Sequence, residues 1–398
     1  MNKKKTTLAV GILSMNLLLM STSVIGSAIA AIAKSFPTEP ISKVQMIASI
    51  PQLGQLIATL LFTWLTYHLT RKNIGILAVL AVGISGMFPA FYPSSLNIIL
   101  ACMTVLGFGA GLISNVGPVL LQEHFEGEER ASVMGWGMGF NNIGMMVFTA
   151  LGGALGSSNW HNLFWIYALS LVILVFFIFT VPQDNVIGDK NKDNEKSESF
   201  LSSVKSLSGN VYIILLVTFV MSMILMTFMT NQSIVLAAKG QGTAYTAMVI
   251  TIGNIGGILT AFVLKYIRKL TKTNTIAFGF IAFALSFACI EFFSSPVMHI
   301  LGNMFSGMGV VMVNATIPFE LSLLADERKF PIVISMNTLV SSFAGIFAPM
   351  IIAAFKIKPG DASFTFGIIL SLVIATFLLI IKFGARIEKS HAEQEAQK

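Results

Sequence analysis

Twelve runs of apolar residues, each long enough for a helix that crosses a bilayer, constrain this sequence more than any other feature. A membrane-spanning helix needs about 20 predominantly apolar residues, and such runs fill most of the 398 residues. We number them spans 1 to 12 and place them near residues 7–33, 44–66, 74–92, 96–122, 132–156, 162–181, 211–236, 243–266, 275–293, 297–322, 331–355 and 364–384. The sequence therefore predicts an all-α membrane protein with twelve transmembrane helices.

The composition excludes several other classes of protein. Hydrophobic residues make up 55% of the chain and charged residues 11%, which is too little polar surface for a water-soluble globule. The net charge of +7 is divided among short clusters between the apolar runs, so no basic stripe suits nucleic acid. Cys102 and Cys289 both fall within spans, which argues against a disulfide framework. We expect no cofactor, no bound metal and no nucleic-acid partner.

The first span has an alternative interpretation as a cleavable secretory signal. Lysines at positions 3 to 5 precede the apolar run, and Ala31-Ile32-Ala33 has the small residues of a cleavage site. The run from Leu8 to Ile32 is, however, about twice as long as a signal core. Its removal would also leave an odd number of spans, so we favour an uncleaved first helix.

Lysine and arginine are divided very unequally between the two sides of the membrane. If the N-terminus is inside, 20 of the 25 basic residues lie on the cytoplasmic side and 5 lie outside. Cytoplasmic loops carry such an excess of positive charge. We expect an integral protein of the plasma (inner) membrane, with both termini in the cytoplasm.

The two halves of the chain repeat each other at a period of about 200 residues, and such periods indicate repeated structural units. The matching segments are Gly107-x-Gly109 and Gly307-x-Gly309, Pro118 and Pro318, Glu128-Glu129-Arg130 and Asp326-Glu327-Arg328, and Leu53-Gly54 and Ile255-Gly256. The only long hydrophilic segment lies between spans 6 and 7. We predict an N-terminal six-helix bundle at 1–182, a cytoplasmic linker at 183–210 and a C-terminal six-helix bundle at 211–398.

Local motifs add a family resemblance to this architecture. The loop after span 2 reads T-W-L-T-Y-H-L-T-R-K and ends at Arg71 and Lys72; span 4 contains M-T-V-L-G-F-G-A; and span 6 opens with W-H-N-L-F-W-I-Y. With its twelve spans, the chain resembles the major facilitator superfamily, and in particular its drug and sugar efflux branch. The resemblance implies two bundles related by a pseudo-two-fold axis around a midplane site that opens to each side in turn.

The chain departs from the motifs of that family at two charged positions. Tyr67 stands where the loop motif usually carries an acid, and Met103 stands where proton-driven exporters carry an arginine. A proton gradient, another cation gradient and facilitated diffusion therefore all remain compatible with the sequence.

In this family, spans 1, 4, 7 and 10 line the central cavity, and here they carry uncharged polar residues. The resemblance implies that the substrate-binding candidates are Asn16, Ser23, Asn115, Thr227, Asn231, Gln232 and Asn314. Such side chains also bridge helices in membranes, which is the alternative for each of them. Because a charged solute needs opposite charge to replace its hydration, and no Arg, Lys or Asp falls at the midplane, we expect a neutral or amphipathic organic solute.

Small residues and prolines form a second group of candidates, for packing or gating. Glycines allow close approach of helices, and a proline within a helix removes a donor and bends it. The residues concerned are Gly107, Gly109, Pro118, Gly144, Gly152, Gly153 and Pro318. A static role in packing and a role in the rocking motion are both compatible with this pattern.

Glu320 is the candidate for coupling transport to an ion. A carboxylate within a membrane span is costly and is a functional candidate by default, and this one follows Pro318 by two residues. Its position near the cytoplasmic boundary allows the alternative of an ion pair with Lys265 or Arg268. Glu291, the other acid within a span, lies at the outer end of span 9.

These features together predict a monomeric secondary transporter that is not an enzyme. It would move a small organic solute outward by alternating access, with protons or another cation and membrane lipid as its other partners. An uptake symporter or uniporter for a neutral nutrient is the alternative. A non-transporting membrane sensor is a further one, although neither the linker nor the C-terminal tail is long enough for an output domain.

Overall fold

The structure, a computed structural model, describes residues 3–125, 127–183, 207–324 and 330–395, and every regular element within them is a helix. The α-helices are α1 (Lys3–Ser14), α2 (Ser23–Gly26), α3 (Ile29–Ser35), α4 (Ile41–Ser49), α5 (Pro51–His68), α6 (Arg71–Phe91), α7 (Leu96–His124), α8 (Gly127–Leu155), α9 (Leu169–Thr180), α10 (Gly209–Ala238), α11 (Thr243–Thr271), α12 (Thr275–Phe292), α13 (Pro296–Leu324), α14 (Phe330–Ala354), α15 (Asp361–Ile380) and α16 (Phe383–Glu395). The 3₁₀ helices are Met15–Leu18, Trp160–Ala168 and Lys272–Asn274. The all-α prediction is confirmed.

Ten stretches of the described residues are long and apolar enough to cross a membrane. One of them, Thr243–Phe292, contains both α11 and α12, because only a short 3₁₀ turn separates these helices. Eleven of the twelve predicted spans are thus represented. The twelfth, span 5, corresponds to α8, which contains Asn141 and Asn142 and is itself a continuous α-helix of 29 residues.

The chain forms two compact units. Unit 1 comprises Met1–Asp193 with Leu236–Thr251, and unit 2 comprises Asn194–Val235 with Ile252–Lys398. Unit 1 therefore takes in the end of α10 and the start of α11. The boundaries predicted from the hydrophilic segment, at residues 182 and 211, remain a prediction, and residues 184–206 lie outside the described part of the chain.

Span 1 is irregular in its middle. After α1, backbone hydrogen bonds join several amides to the carbonyl three residues earlier, as in Leu19 to Asn16, Ser23 to Met20 and Ala28 to Ile25. One α-helical turn, α2, lies within this stretch, and a longer α-helix resumes in α3. A run of i→i−3 bonds within a long helix is uncommon and is often found at functional hinges.

The glycine repeat corresponds to close helix packing in unit 1. A Cβ atom on Gly54 of α5 would overlap the carbonyl oxygen of Thr104 on α7, and one on Gly107 of α7 would overlap the carbonyl of Pro51. On the other side of α7, a Cβ on Gly109 would lie 2.6 Å from the Ala78 oxygen of α6. The two glycines of α7 thus hold α5 and α6 against it.

Unit 2 repeats this packing with the equivalent residues. A Cβ on Gly256 of α11 would lie 2.5 Å from the Cα of Met304 on α13, and one on Gly307 would lie 2.7 Å from the backbone nitrogen of Gly257. A Cβ on Gly309 would lie 2.9 Å from the Gly279 oxygen of α12. The sequence repeat is therefore a repeat of helix contacts, each within its own unit.

The prolines of the repeat lie inside continuous helices. Pro118 is within α7 and Pro318 within α13, and both are exposed. The bends predicted at these residues remain a prediction. The acidic and basic cluster repeats only in part within the described chain, because Asp326-Glu327-Arg328 lies outside it.

Candidate functional site

In unit 1, the polar residues of span 1 face helices α7 and α8. Asn16 is half-buried, and its side chain lies against two glycines: Cβ atoms there would be 3.4 Å from its Oδ1 at Gly117 and 3.0 Å from its Nδ2 at Gly137. The absence of side chains at these glycines leaves room for the amide. Asn16 therefore lies where span 1, α7 and α8 meet.

Ser23, the second candidate on span 1, has a partner that sequence reasoning missed. Its hydroxyl is 3.0 Å from the hydroxyl of Thr149 on α8 and donates to the Met20 carbonyl at 2.7 Å. Ser23 and Thr149 are both buried. The Tyr167 hydroxyl donates to the Ser21 carbonyl at 3.1 Å, so the irregular part of span 1 is held by side chains from two other helices.

The α8 glycines of the packing group also lie against neighbouring helices. A Cβ on Gly144 would overlap the backbone of Leu17, and one on Gly152 would lie 2.5 Å from the Val24 side chain. A Cβ on Gly153 would overlap that of Ala247, which belongs to the same unit. All three positions are closed to larger residues, so close packing is what these glycines provide.

Asn115 on α7 is half-buried and bridges two helices. Its Nδ2 donates to the Gly111 carbonyl of its own helix at 2.7 Å and to the Thr59 hydroxyl of α5 at 3.2 Å. An amide has two donors and an acceptor, and the hydrogen bonds of Asn115 to other described residues all use its Nδ2.

Unit 2 concentrates the candidates on α10. Thr227, Asn231 and Gln232 are each 1% exposed. The Thr227 hydroxyl donates to Met223 at 2.7 Å, and Asn231 Nδ2 donates to the Thr227 carbonyl at 3.0 Å. Gln232 differs, because its buried Nε2 has no hydrogen-bond partner among the described residues.

Asn231 also fixes the connection between α14 and α15. Its Oδ1 accepts a 2.9 Å hydrogen bond from the backbone nitrogen of Gly360. Gly360 has a φ of 96°, a conformation that only glycine adopts readily. Asn231 thus anchors a turn that depends on glycine, which is a structural use of a residue that the sequence suggested as a substrate ligand.

A polar ladder between α10 and α14 was not anticipated from the sequence. Thr218 donates to Asn337 Oδ1 at 2.5 Å, and the Ser222 and Ser341 hydroxyls are 2.7 Å apart. Both pairs are 119 residues apart, as expected for parallel helices in register. Restricting the candidates to spans 1, 4, 7 and 10 hid this ladder, although its i, i+4 spacing on both helices was a visible signal.

On α13, the two polar candidates have contrasting environments. Asn314 is exposed, whereas Glu320 is 7% exposed and its Oε2 has no hydrogen-bond partner among the described residues. A buried carboxylate oxygen without a donor is costly unless the group is neutralised. Glu320 is therefore the most unusual polar group of this helix.

Arg268 of α11 is the cation that acts on Glu320, but its Nη2 donates to other groups and its buried Nε has no partner among the described residues. Its Nη2 donates to the Ala315 carbonyl at 2.9 Å and to the Thr316 hydroxyl at 3.2 Å, and its guanidinium lies 5.5 Å from the ring centre of Phe319. Arg268 attracts Glu320 electrostatically, while Glu388 of α16 repels it. Neither Arg268 nor Lys265 forms the direct ion pair that was the structural alternative for Glu320.

The loop residues Arg71 and Lys72 tie helix ends together in unit 1. Arg71 Nη2 forms a 2.8 Å ion pair with Glu123 at the end of α7. Lys72 Nζ donates to the Ile178 carbonyl at the end of α9 at 2.8 Å. An acid from another helix, Glu123, is thus an ion-pair partner of Arg71.

A second ion pair lies at the start of α8. Lys5 Nζ donates to Glu129 Oε2 at 2.7 Å. This hydrogen bond lowers the pKa of the Glu129 carboxyl from its usual value of 4.5. Both side chains are exposed, so the pair orders the helix start rather than forming a binding pocket.

The described residues hold no group of three or more His, Cys, Asp or Glu side chains that suits a metal ion. Within these residues, the buried polar groups of the candidate helices are mostly uncharged amides and hydroxyls, with the imidazole of His299 and the carboxyl of Glu320 on α13. Such groups donate and accept hydrogen bonds.

Comparison with solved structures shows the fold. A mutant of the nucleoside transporter NupG aligns with 95% of this chain and 99% of its own, with a TM-score of 0.80 and 13% identity. A D-xylose-proton symporter aligns over 94% of this chain and 96% of its own, with a TM-score of 0.71 and 15% identity. At such identities the likeness establishes the fold alone.

Sequence comparison shows the family. Protein TsgA of Salmonella newport (strain SL254) is 31% identical over 148 residues, which is 35% of this chain and 36% of that protein. The match thus spans about a third of the relative. The family model described as Major Facilitator Superfamily matches residues 11–349, and the chain therefore belongs to the Major Facilitator Superfamily.

Proposed function

We propose that this chain is a secondary transporter that moves a small neutral or amphipathic organic solute across the membrane by alternating access, in the outward direction. The observation that carries the choice of solute is the set of buried polar groups on α10, which are all uncharged. A solute that makes hydrogen bonds and carries apolar surface matches amides and hydroxyls beside Met221, Met223 and Met226.

Within this proposal, Gln232 and Asn115 are the polar groups that contact the solute. Gln232 offers a buried Nε2 without a partner among the described residues, and leaving such a donor unpaired costs about 1–3 kcal/mol. A solute carbonyl or hydroxyl would satisfy it. Asn115 offers its Oδ1, because its Nδ2 already binds Gly111 and Thr59. Asn16, Ser23, Thr227 and Asn314 are the remaining proposed contacts.

Glu320 is proposed as the group that couples transport to protons. Its burial and its unpartnered Oε2 favour a carboxyl that exchanges a proton when its surroundings open to water. Arg268 is close enough to attract the ionised form but is held by Ala315 and Thr316. A conformational change that frees Arg268 would pair it with Glu320 and favour proton release.

The alternative direction is uptake, and one comparison favours it. A structural neighbour bears the description D-xylose-proton symporter, which names a carrier that takes solute and proton in the same direction. A single buried acid suits a symporter as well as an antiporter. The plasma (inner) membrane and cytoplasmic termini are part of the same proposal, and they follow from the distribution of basic residues.

The test of transport is flux in proteoliposomes. The purified full-length chain would be reconstituted and offered a panel of neutral sugars, nucleosides and amphipathic aromatic solutes, with an imposed proton gradient of either sign. We expect accumulation of at least one solute and its collapse by a protonophore. Binding without flux for every solute would contradict the transporter assignment, and flux unaffected by the protonophore would contradict proton coupling.

Glu320→Gln separates coupling from binding. We expect gradient-driven accumulation to fall at least tenfold while exchange of internal for external solute continues. Glu291→Gln is the matched control, because Glu291 also lies in a predicted span but accepts a 2.6 Å hydrogen bond from Thr365. A pH dependence of transport unchanged by Glu320→Gln would assign Glu320 a structural role.

A further inference from the structure

The end of α11 presents an exposed apolar strip. Phe262, Tyr266 and Leu270 are 80%, 72% and 85% exposed. They follow each other at intervals of four residues and therefore lie along one face of the helix. Of the three, Tyr266 has an apolar ring and a polar hydroxyl, the combination that is enriched where the hydrocarbon meets the headgroups.

A basic strip runs beside the apolar one. Lys265, Lys269 and Lys272 are all exposed and recur at intervals of four and three residues, on the face next to the apolar strip. Arg268, on the other side of the basic strip, turns inward to α13. The helix end thus has an inward face, a basic face and an apolar face, in that order.

The start of α16 adds two more cations at the same place. A Cβ on Gly384 would overlap the carbonyl of Thr273, so α16 touches the 3₁₀ turn that follows α11. Lys272 and Lys382 flank this contact. Phe383 and Ile387 of α16 are 2% and 1% exposed, which places Arg386 on its exposed face.

The backbone brings these lysines to the surface at a cost. Lys272 and Lys382 have φ angles of 54° and 48°, in a region that glycine usually occupies at helix ends. Among the described residues, none of Lys265, Lys269, Lys272, Lys382 and Arg386 forms an ion pair. Five exposed cations therefore lie on two segments, the end of α11 and the start of α16, which meet where Gly384 contacts Thr273.

We propose that this patch, formed by Lys265, Lys269, Lys272, Lys382 and Arg386 beside Phe262, Tyr266 and Leu270, is a binding site for the headgroup of an anionic phospholipid. The apolar strip meets acyl chains, Tyr266 lies at their boundary with the headgroups, and the flexible lysine side chains reach the phosphate. Convergent basic residues next to a membrane span attract anionic lipid. Charge complementarity thus selects an anionic lipid over a zwitterionic one.

The test compares lipid binding by the full-length chain and a triple variant. Delipidated protein in a neutral detergent would be titrated with phosphatidylglycerol or phosphatidylcholine, and bound lipid measured by native mass spectrometry together with the Tm. We expect phosphatidylglycerol to bind and to raise the Tm. Lys265→Gln, Lys269→Gln and Lys272→Gln together should weaken this binding about a hundredfold, since each basic residue near a charged surface contributes about 1 kcal/mol.

Two control variants show whether the loss of binding is specific to the patch. One tests for a general effect of net charge, and the other tests for an effect of the substitutions on folding. Lys34→Gln, Lys356→Gln and Lys358→Gln remove the same charge from exposed positions elsewhere and should leave the binding intact. Replacement of the three patch lysines by arginine should retain it as well. Equal loss in the Lys34, Lys356 and Lys358 variant, or unchanged binding by the patch glutamine variant, would overturn the proposal.

Inorganic phosphate at the same phosphate concentration distinguishes the lipid from a free anion. We expect it to leave the Tm of the wild-type chain unchanged, because it cannot use the apolar strip. A rise in Tm equal to that produced by phosphatidylglycerol would overturn the assignment to lipid. A Tm that rises equally with phosphatidylcholine would overturn it too, because the charges would then have no part in binding.

Discussion

Gly107 lies so close to the carbonyl group of Pro51 that a single methyl group on it would overlap the Pro51 oxygen. Two hundred residues later, Gly307 lies in the same way against the backbone of Gly257. Each pair joins the helices of one unit, α5 to α7 and α11 to α13. Backbone atoms cannot move aside as a flexible side chain can, so these contacts set the distance between the helices.

We predict that Gly107→Ala destabilises the protein by about 1–3 kcal/mol, the usual cost of forcing an extra group into a packed core. The measurement is the Tm of the purified protein in detergent. Gly139→Ala is the matched control, because a Cβ on Gly139 of α8 meets nothing within 4 Å. There the change should leave the Tm unchanged or raise it, since alanine favours the helix. Equal effects of the two changes would refute the packing argument.

Arg71 and Glu123 should be energetically coupled. Their side chains are 15% and 29% exposed and form a 2.8 Å ion pair, so we expect a coupling of about 0.5–1 kcal/mol, at the upper end for partly exposed pairs. A double-mutant cycle with Arg71→Gln and Glu123→Gln, followed by Tm, measures it. Strictly additive effects of the two substitutions would show that the pair contributes nothing.

Asn231→Ala should act on stability more than on solute affinity. The change removes the acceptor of the Gly360 amide and the donor to Thr227, which is expected to cost about 1–3 kcal/mol because the Gly360 amide is left buried and unpaired. Tm and transport KM are measured side by side. A KM raised tenfold with an unchanged Tm would show instead that Asn231 binds the solute.

The Lys5–Glu129 pair should make the start of α8 sensitive to acid. The pKa of Glu129 is lower in the folded protein than its usual value of 4.5. The ionised carboxylate therefore stabilises the fold at pH values above 4.5, and this stabilisation is lost as the pH falls through the lowered pKa. Glu129→Gln should therefore lower the Tm slightly at pH 7 and not at pH 3. A difference that grows as the pH falls would contradict this assignment.

The fold was largely predictable from the sequence. A helix in a bilayer forms its own backbone hydrogen bonds and exposes apolar side chains, so each span is visible in the sequence as an apolar run. The repeat was predictable for a second reason. Glycine at Gly107 and Gly109 is required by sterics alone, and the same requirement recurs at Gly307 and Gly309. The span predicted near 132–156 is likewise a continuous helix, α8, although it contains many glycines and two asparagines.

The partners of the polar residues were much less predictable. Asn231 binds an amide 129 residues away, and that contact depends on the turn conformation of Gly360. The sequence suggested no partner for Arg71, and its ion pair is with Glu123 at the end of α7, 52 residues further along the chain. Contacts between side chains of different helices depend on rotation and register, which apolar patterns fix only coarsely.

The i→i−3 bonds of span 1 have a mechanical consequence. In that geometry each residue advances about 2.0 Å along the helix axis, compared with about 1.5 Å in an α-helix. Between Met15 and Thr22, the part of span 1 that precedes the α-helical turn α2, rewinding into an α-helix would shorten the span by about 4 Å at most. The length of span 1 therefore depends on the geometry of its middle, and its two ends move closer together when the middle becomes α-helical.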